Sequence, residues 1–161
     1  MTDETPYSTP PPPQEPLPPP PPPPPPGPLS PSDERTWAMI SHLSIVVNLF
    51  TAFLGPLIPL AIYFIYKDRS RFVAFHSMQA FLFQLVWWIG GGLLAAAAWT
   101  ISGILAAILI GCLLMPLALV ISLIPIAGLV YGVIGAIQTG QGQDFEYWLI
   151  GDWTRNMLRG A

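Results

Sequence analysis

Between Phe72 and Ile137 the chain runs for 66 residues without an Asp, Glu, Lys or Arg. Soluble domains carry charge on about a quarter of their residues, and no water-soluble core strings together so long an uncharged segment. One crossing of a bilayer takes about 20 apolar residues, so this run has room for two crossings, or three. The chain therefore reads as an integral membrane protein. The fold class expected is all-α: a polytopic helical membrane protein of three to four membrane helices, the first pair short or broken, behind a disordered proline-rich tail. Three segments follow: the tail over 1–35, a helical membrane domain over 36–140 and a C-terminal interfacial segment over 141–161.

Charge is scarce, at 9% of residues against 52% hydrophobic, and the net charge is −3. It lies in the tail, in one loop and at the C-terminus. The six cations form no basic cluster beyond residues 67–71, so nucleic acid is not a partner. Cys112 is the single cysteine, which excludes an intrachain disulfide and a cysteine metal cluster; it reads as a packing residue. The acidic, proline-rich N-terminus lacks the basic-then-apolar order of a secretory signal, so the first apolar segment is expected to act as an uncleaved anchor.

Seventeen of the 21 prolines fall within residues 1–35, nine of them unbroken from Pro18 to Pro26. Proline has no N–H to donate, and a run of nine favours a polyproline II rod of about 28 Å. The tail reads as a solvated spacer or as a docking arm for a proline-binding partner.

"SPSDERTWAM" opens a helix, with Ser32 or Asp33 placed to cap it and Trp37 placed as an interfacial anchor. Gly55-Pro56 and Pro59 break the apolar segment 37–66 into limbs of about 17 and 11 residues, too long in total for one hydrocarbon thickness. It is one broken span or a hairpin that enters and returns; the hairpin is favoured. Lys67, Arg69 and Arg71 mark the next loop as cytoplasmic, and Arg155 and Arg159 mark the C-terminus likewise, as expected of a multi-pass protein of a cytoplasmic membrane. Beyond Arg71, one helix is expected over about 72–99, loosened at Gly90-Gly91-Gly92. A second runs over about 103–139, kinked at Pro116 and Pro125. A three-span division cut at the glycines and at Pro116 is the second choice.

The polar residues in this apolar setting are few. Ser41, Ser44 and Asn48 share one helix face, with His42 about 100° away. His76 and Gln79 share another face, and Gln84 points elsewhere. Such groups usually hydrogen-bond between helices in lipid. Ser41, Ser44, Asn48, His76, Gln79 and Gln84 are therefore expected to form a polar helix-packing seam between the first helices and the 72–99 helix. The alternative is a polar path for protons, ions or a substrate, but no carboxylate, Lys or Arg accompanies it. The two histidines, without flanking carboxylates or cysteines, are poor metal or haem ligands, and His76 is expected at the interface. Gly103, Ala107 and Gly111 repeat at fourth positions. Gly128, Gly132 and Gly135 form a glycine packing seam for self-association or tight intrachain contact. Phe145, Trp148, Trp153 and Leu158, mixed with Asp152, Arg155 and Arg159, suggest an amphipathic surface segment.

Four stretches carry a family resemblance: "DERTWAMISHLS", "LGPLI", "KDRSRFVAFHSMQAFLFQ" and "GQGQDFEYW". Through them, residues 32–150 resemble a widespread small bacterial membrane-protein family of unknown function. That family is classed as similar to the twenty-kilodalton Tic component of the chloroplast inner-envelope import translocon. The resemblance implies a compact domain of three to four helices and no catalytic residues. Nothing in the chain pairs a nucleophile with a base or assembles an acid pair, phosphate loop or metal set, so no enzyme, cofactor or metal is expected. The function expected is non-enzymatic: scaffolding or assisting membrane-protein assembly or translocation, with the lipid bilayer, other membrane proteins or further copies of the chain as partners. The alternative is a small oligomeric channel or transporter subunit lined by Ser41, Ser44 and Asn48.

Overall fold

The computed structural model describes residues 27–160, so the proline run and most of the expected tail lie outside the described residues. Helices are the only regular elements among those described. The first, α1 (Pro31–Leu43), starts earlier than the sequence suggests: Ser30 is the cap, its Oγ accepting the Asp33 N–H at 3.2 Å. Pro31 then occupies the first helical position, where a missing N–H costs nothing. Residues 31–35, assigned above to the tail, are thus helical.

A tight turn of helix over Ser44–Val47 passes α1 into α2 (Asn48–Thr51), which stops at Ala52 with φ 63°. The chain reverses through Gly55-Pro56 and returns as α3 (Leu57–Tyr66). The return is complete: the Trp37 and Tyr66 rings lie 5.0 Å apart, and the Ser70 hydroxyl donates to Glu34 at 2.6 Å. Ser70 also caps α4 by accepting the Val73 N–H at 3.1 Å. One side chain therefore pins the start of α1 to the start of the next helix. Of the two readings of residues 37–66, the structure has the hairpin.

α4 (Arg71–Phe83), a wider turn over Gln84–Gly90 and α5 (Gly91–Leu105) form one continuous helix of 38 residues to Ile108. It reverses at Leu109 with φ 66°, and α6 (Ile110–Ile121) and α7 (Leu123–Gly140) run back as a second, 31-residue helix. At 1.5 Å per residue these helices are about 57 and 46 Å long. Two helices are thus long and apolar enough to cross a membrane, in place of the three to four expected, because residues 31–66 fold into two short limbs. The first long helix runs past Trp99, with Thr100 bonding back to Ala96 O within it. Gly111 sets the tip: a Cβ there would sit 2.0 Å from Ser102 O, so only glycine lets the backbones meet.

Two layers result. In the proximal layer α1–α2, α3, α4 and α7 pack together, down to the level where Trp88 Nε1 donates to Ala52 O. That level is about 25 Å from Arg71 along the helix. Beyond it α5 and α6 continue as a bare hairpin with Leu113 and Leu109 exposed. The core comprises Ile45, Phe83, Phe145, Tyr147 and Ile150, with Phe83 and Tyr147 stacked at 3.8 Å. Gly128, Gly132 and Gly135 face Trp87, Ile45 and Phe145, and a Cβ would meet these at 3.1, 2.9 and 2.7 Å. The glycine seam therefore serves contact within the chain.

After Gly142 the chain turns back over the proximal end. Phe145 and Tyr147 enter the core, so Phe145 is not on the amphipathic surface expected of it. α8 (Ile150–Arg159) lies on α4 through Ile150, Gly151 and Thr154. It leaves Trp153 and Met157 exposed alongside Trp148.

Candidate functional site

The proximal layer encloses a buried polar network. At its deep end Asn48 Oδ1 accepts the Gly55 N–H at 2.8 Å, tying α2 to the reversal, and Asn48 Nδ2 donates to Gln84 Oε1 at 3.1 Å. Gln84 Nε2 donates to the Ser44 hydroxyl at 2.9 Å, and that hydroxyl donates to Ser41 O at 2.8 Å. One turn nearer the surface Ser41 donates to Trp37 O, so the 2.8 Å contact to Ser77 must be a donation from Ser77. Gln79 clamps the C-terminal segment, donating to Phe145 O at 3.0 Å and accepting the Tyr147 N–H at 3.2 Å.

The clamp sets Tyr147 at the head of a file of four titratable groups. Its hydroxyl lies 2.9 Å from His42 Nδ1, and His42 Nε2 lies 3.2 Å from His76 Nδ1. His76 Nε2 has no hydrogen-bond partner among the described residues and lies 3.7 Å from Asp144 Oδ1. One proton order fills every acceptor: Tyr147 O–H to His42, His42 Nε2–H to His76, and His76 Nε2–H toward the carboxylate. Both imidazoles are wholly buried, whereas the Asp144 side chain is 59% exposed. Arg155, its guanidinium 4.4 Å from the Phe75 ring centre, donates to Asp144 Oδ2 at 2.7 Å and to Glu146. These bonds raise the Arg155 pKa. Burial, with Tyr131 adding to it, raises the Tyr147 pKa well above 10.

Residues 33–154 match the magnetosome magnetite crystal formation protein family. The chain belongs to that family. The resemblance drawn from the sequence covers nearly the same stretch, but the Tic likeness gains no support from this match. Comparison with curated proteins and with solved structures finds no match. Membership of this magnetosome family, together with two helices apolar enough to cross a bilayer, marks the chain as membrane-associated.

In this family member the six residues expected to form a polar seam are all buried. Ser41, Ser44, Asn48 and Gln84 join one hydrogen-bonded run, and Gln79 and His76 serve the C-terminal segment. His76 is fully buried against protein. One expectation is corrected. The histidines do have a carboxylate beside them, Asp144, which lies 68 residues along the chain from His76 and is brought back by the Gln79 clamp. Sequence reasoning missed His42, Ser77, Tyr147 and Asp144 as members. The signal available was the alternation of Phe145 and Tyr147 in "QDFEYW", since alternate residues of an extended stretch face one side; Asp144, on the other side, carries no such signal.

Proposed function

We propose that this chain is a non-enzymatic membrane scaffold serving magnetosome magnetite crystal formation, the role named in its family's description. The observation that carries this reading is the closure of the polar network. Its hydroxyls and amides bond to one another or to backbone, and its histidine file ends at a tyrosine buried in the core. Such a network fixes helices against each other and offers no route through the chain. The channel reading would need Ser41, Ser44 and Asn48 to face a pore, whereas each is bonded inside a single chain.

In this account the two long helices cross the bilayer and residues 31–66 form a re-entrant hairpin beside them. Irregular backbone is tolerated at membrane depth where it is covered by protein, and the Asn48–Gly55 bond serves that end. Arg35, Lys67, Arg69, Arg71 and Arg155 gather at the proximal end, which by the positive-inside rule faces the cytoplasm. α8 lies along that surface with Trp148 and Trp153 in the interface.

The test has two arms. Removing the chain from a magnetosome-forming cell and restoring it should change and then recover crystal size and number, read by electron microscopy; unchanged crystals would sink the role. Purified protein in liposomes should pass no ions above the empty-vesicle rate, and a selective flux would replace the scaffold by the channel.

A further inference from the structure

The polar atom that the network leaves over is His76 Nε2. It is sealed in the proximal layer, lacks a hydrogen-bond partner among the described residues and lies nearest the carboxylate of Asp144, a side chain that opens to water. A buried imidazole nitrogen without a partner is costly. Its 3.7 Å separation from Asp144 Oδ1 is too long for a hydrogen bond and suits an atom held between them.

We propose that His76 Nε2 and Asp144 Oδ1 bind a divalent first-row transition-metal ion. Imidazole and carboxylate are a donor pair for such ions. Bonds of about 2.0–2.2 Å to each donor would bridge this gap with an angle of about 120° at the metal. Among the described residues no third His, Cys, Asp or Glu completes the set, so water fills the remaining positions from the open side.

The rest of the cluster is arranged to hold these two ligands. Arg155 occupies Asp144 Oδ2 and leaves Oδ1 turned to His76. His42, behind His76, receives the Nδ1–H that a metal on Nε2 requires, the usual support of a ligating histidine. Binding then reverses the file, with His76 donating to His42 and His42 to Tyr147. The site acts as a latch between α4 and the C-terminal segment, and it stands whether or not the scaffold reading does.

Full-length protein in detergent micelles, purified without a polyhistidine tag, is titrated with Co²⁺, followed by calorimetry and by visible absorption of the bound ion. One ion per chain is expected. Asp144→Asn and His76→Gln should each weaken binding at least tenfold, and Glu146→Gln less than threefold. If His76→Gln fails to fold, Asp144→Asn, at an exposed side chain, carries the test. No saturable binding by the wild type, or Asp144→Asn weakening it less than tenfold, overturns the site. So does Glu146→Gln weakening it threefold or more.

Discussion

Replacing Gln79 by Leu removes the residue that holds the C-terminal segment to the helices. The side chain is fully buried and makes two bonds, both to backbone: it donates to Phe145 O and accepts from Tyr147 N–H. Ordinary hydrogen bonds between membrane helices contribute about 0.6–1 kcal/mol each, because a separated helix finds other partners. Here the groups left behind belong to one covered stretch of backbone, so each orphan costs about 1–3 kcal/mol. The expected loss is about 2–6 kcal/mol. It should be local before it is global, since Phe145 and Tyr147 pack on Phe83 and Ile45 only while the clamp holds. The assay is thermal unfolding in detergent, paired with limited proteolysis across residues 141–149. Gln79→Leu should lower the midpoint and open that stretch to cleavage at temperatures where the long helices stay intact. A midpoint and cleavage rate equal to those of a lipid-facing substitution such as Leu113→Ala would refute the clamp.

Other perturbations probe other joints. Asn48→Leu strands the Gly55 N–H and the Gln84 carbonyl and should cost about 2–4 kcal/mol, read by the same unfolding assay; a loss under about 0.5 kcal/mol would count against the deep end of the network. Gly132→Leu places a side chain where a Cβ already meets Ile45 at 2.9 Å. Overpacking of about 1–3 kcal/mol should appear, whereas an unchanged midpoint would mean α7 is not packed on the Ser44–Val47 turn. Tyr147 has its pKa raised by burial, so its contribution is complete below about pH 10, the unfolded value. Above that the unfolded chain ionises while the folded one resists, and stability should fall as pH rises. Tyr147→Phe should flatten this alkaline limb, and an equally steep fall in the variant would assign the effect elsewhere.

Much of this architecture was legible from local rules. The uncharged run left room for two long helices or three spans, the Gly55-Pro56 break favoured a reversal over one broken span, and the scarce polar residues of residues 41–84 pointed to burial against one another. What escaped depends on distance along the chain or on small changes of helical register. Asp144 reaches His76 only because Gln79 grips backbone that carries no sequence signal of its own. His42 was set apart from Ser41 by 100° on one helix, but that helix has neighbours on two sides: α4 takes Ser41, and His42 reaches both His76 on α4 and Tyr147 of the C-terminal segment. The wider turn over Gln84–Gly90 lets the first long helix carry the glycine triplet without breaking, so its end falls at Leu109. The Ser30 cap was passed over because the serine two residues later fits the usual pattern as well.

The central claim is that residues 31–66 enter and return, so that the described chain begins and ends on one face of the membrane. Single cysteines at Gly27 and Gly160, each in a Cys112→Ala background, answer it with a membrane-impermeant thiol reagent on intact spheroplasts and after lysis. Gly27 has open space around it, and Gly160 lies just past α8. The account predicts that neither position labels until the cells are lysed, when both do. Labelling of one but not the other in intact spheroplasts would put the two ends on opposite faces and contradict the hairpin.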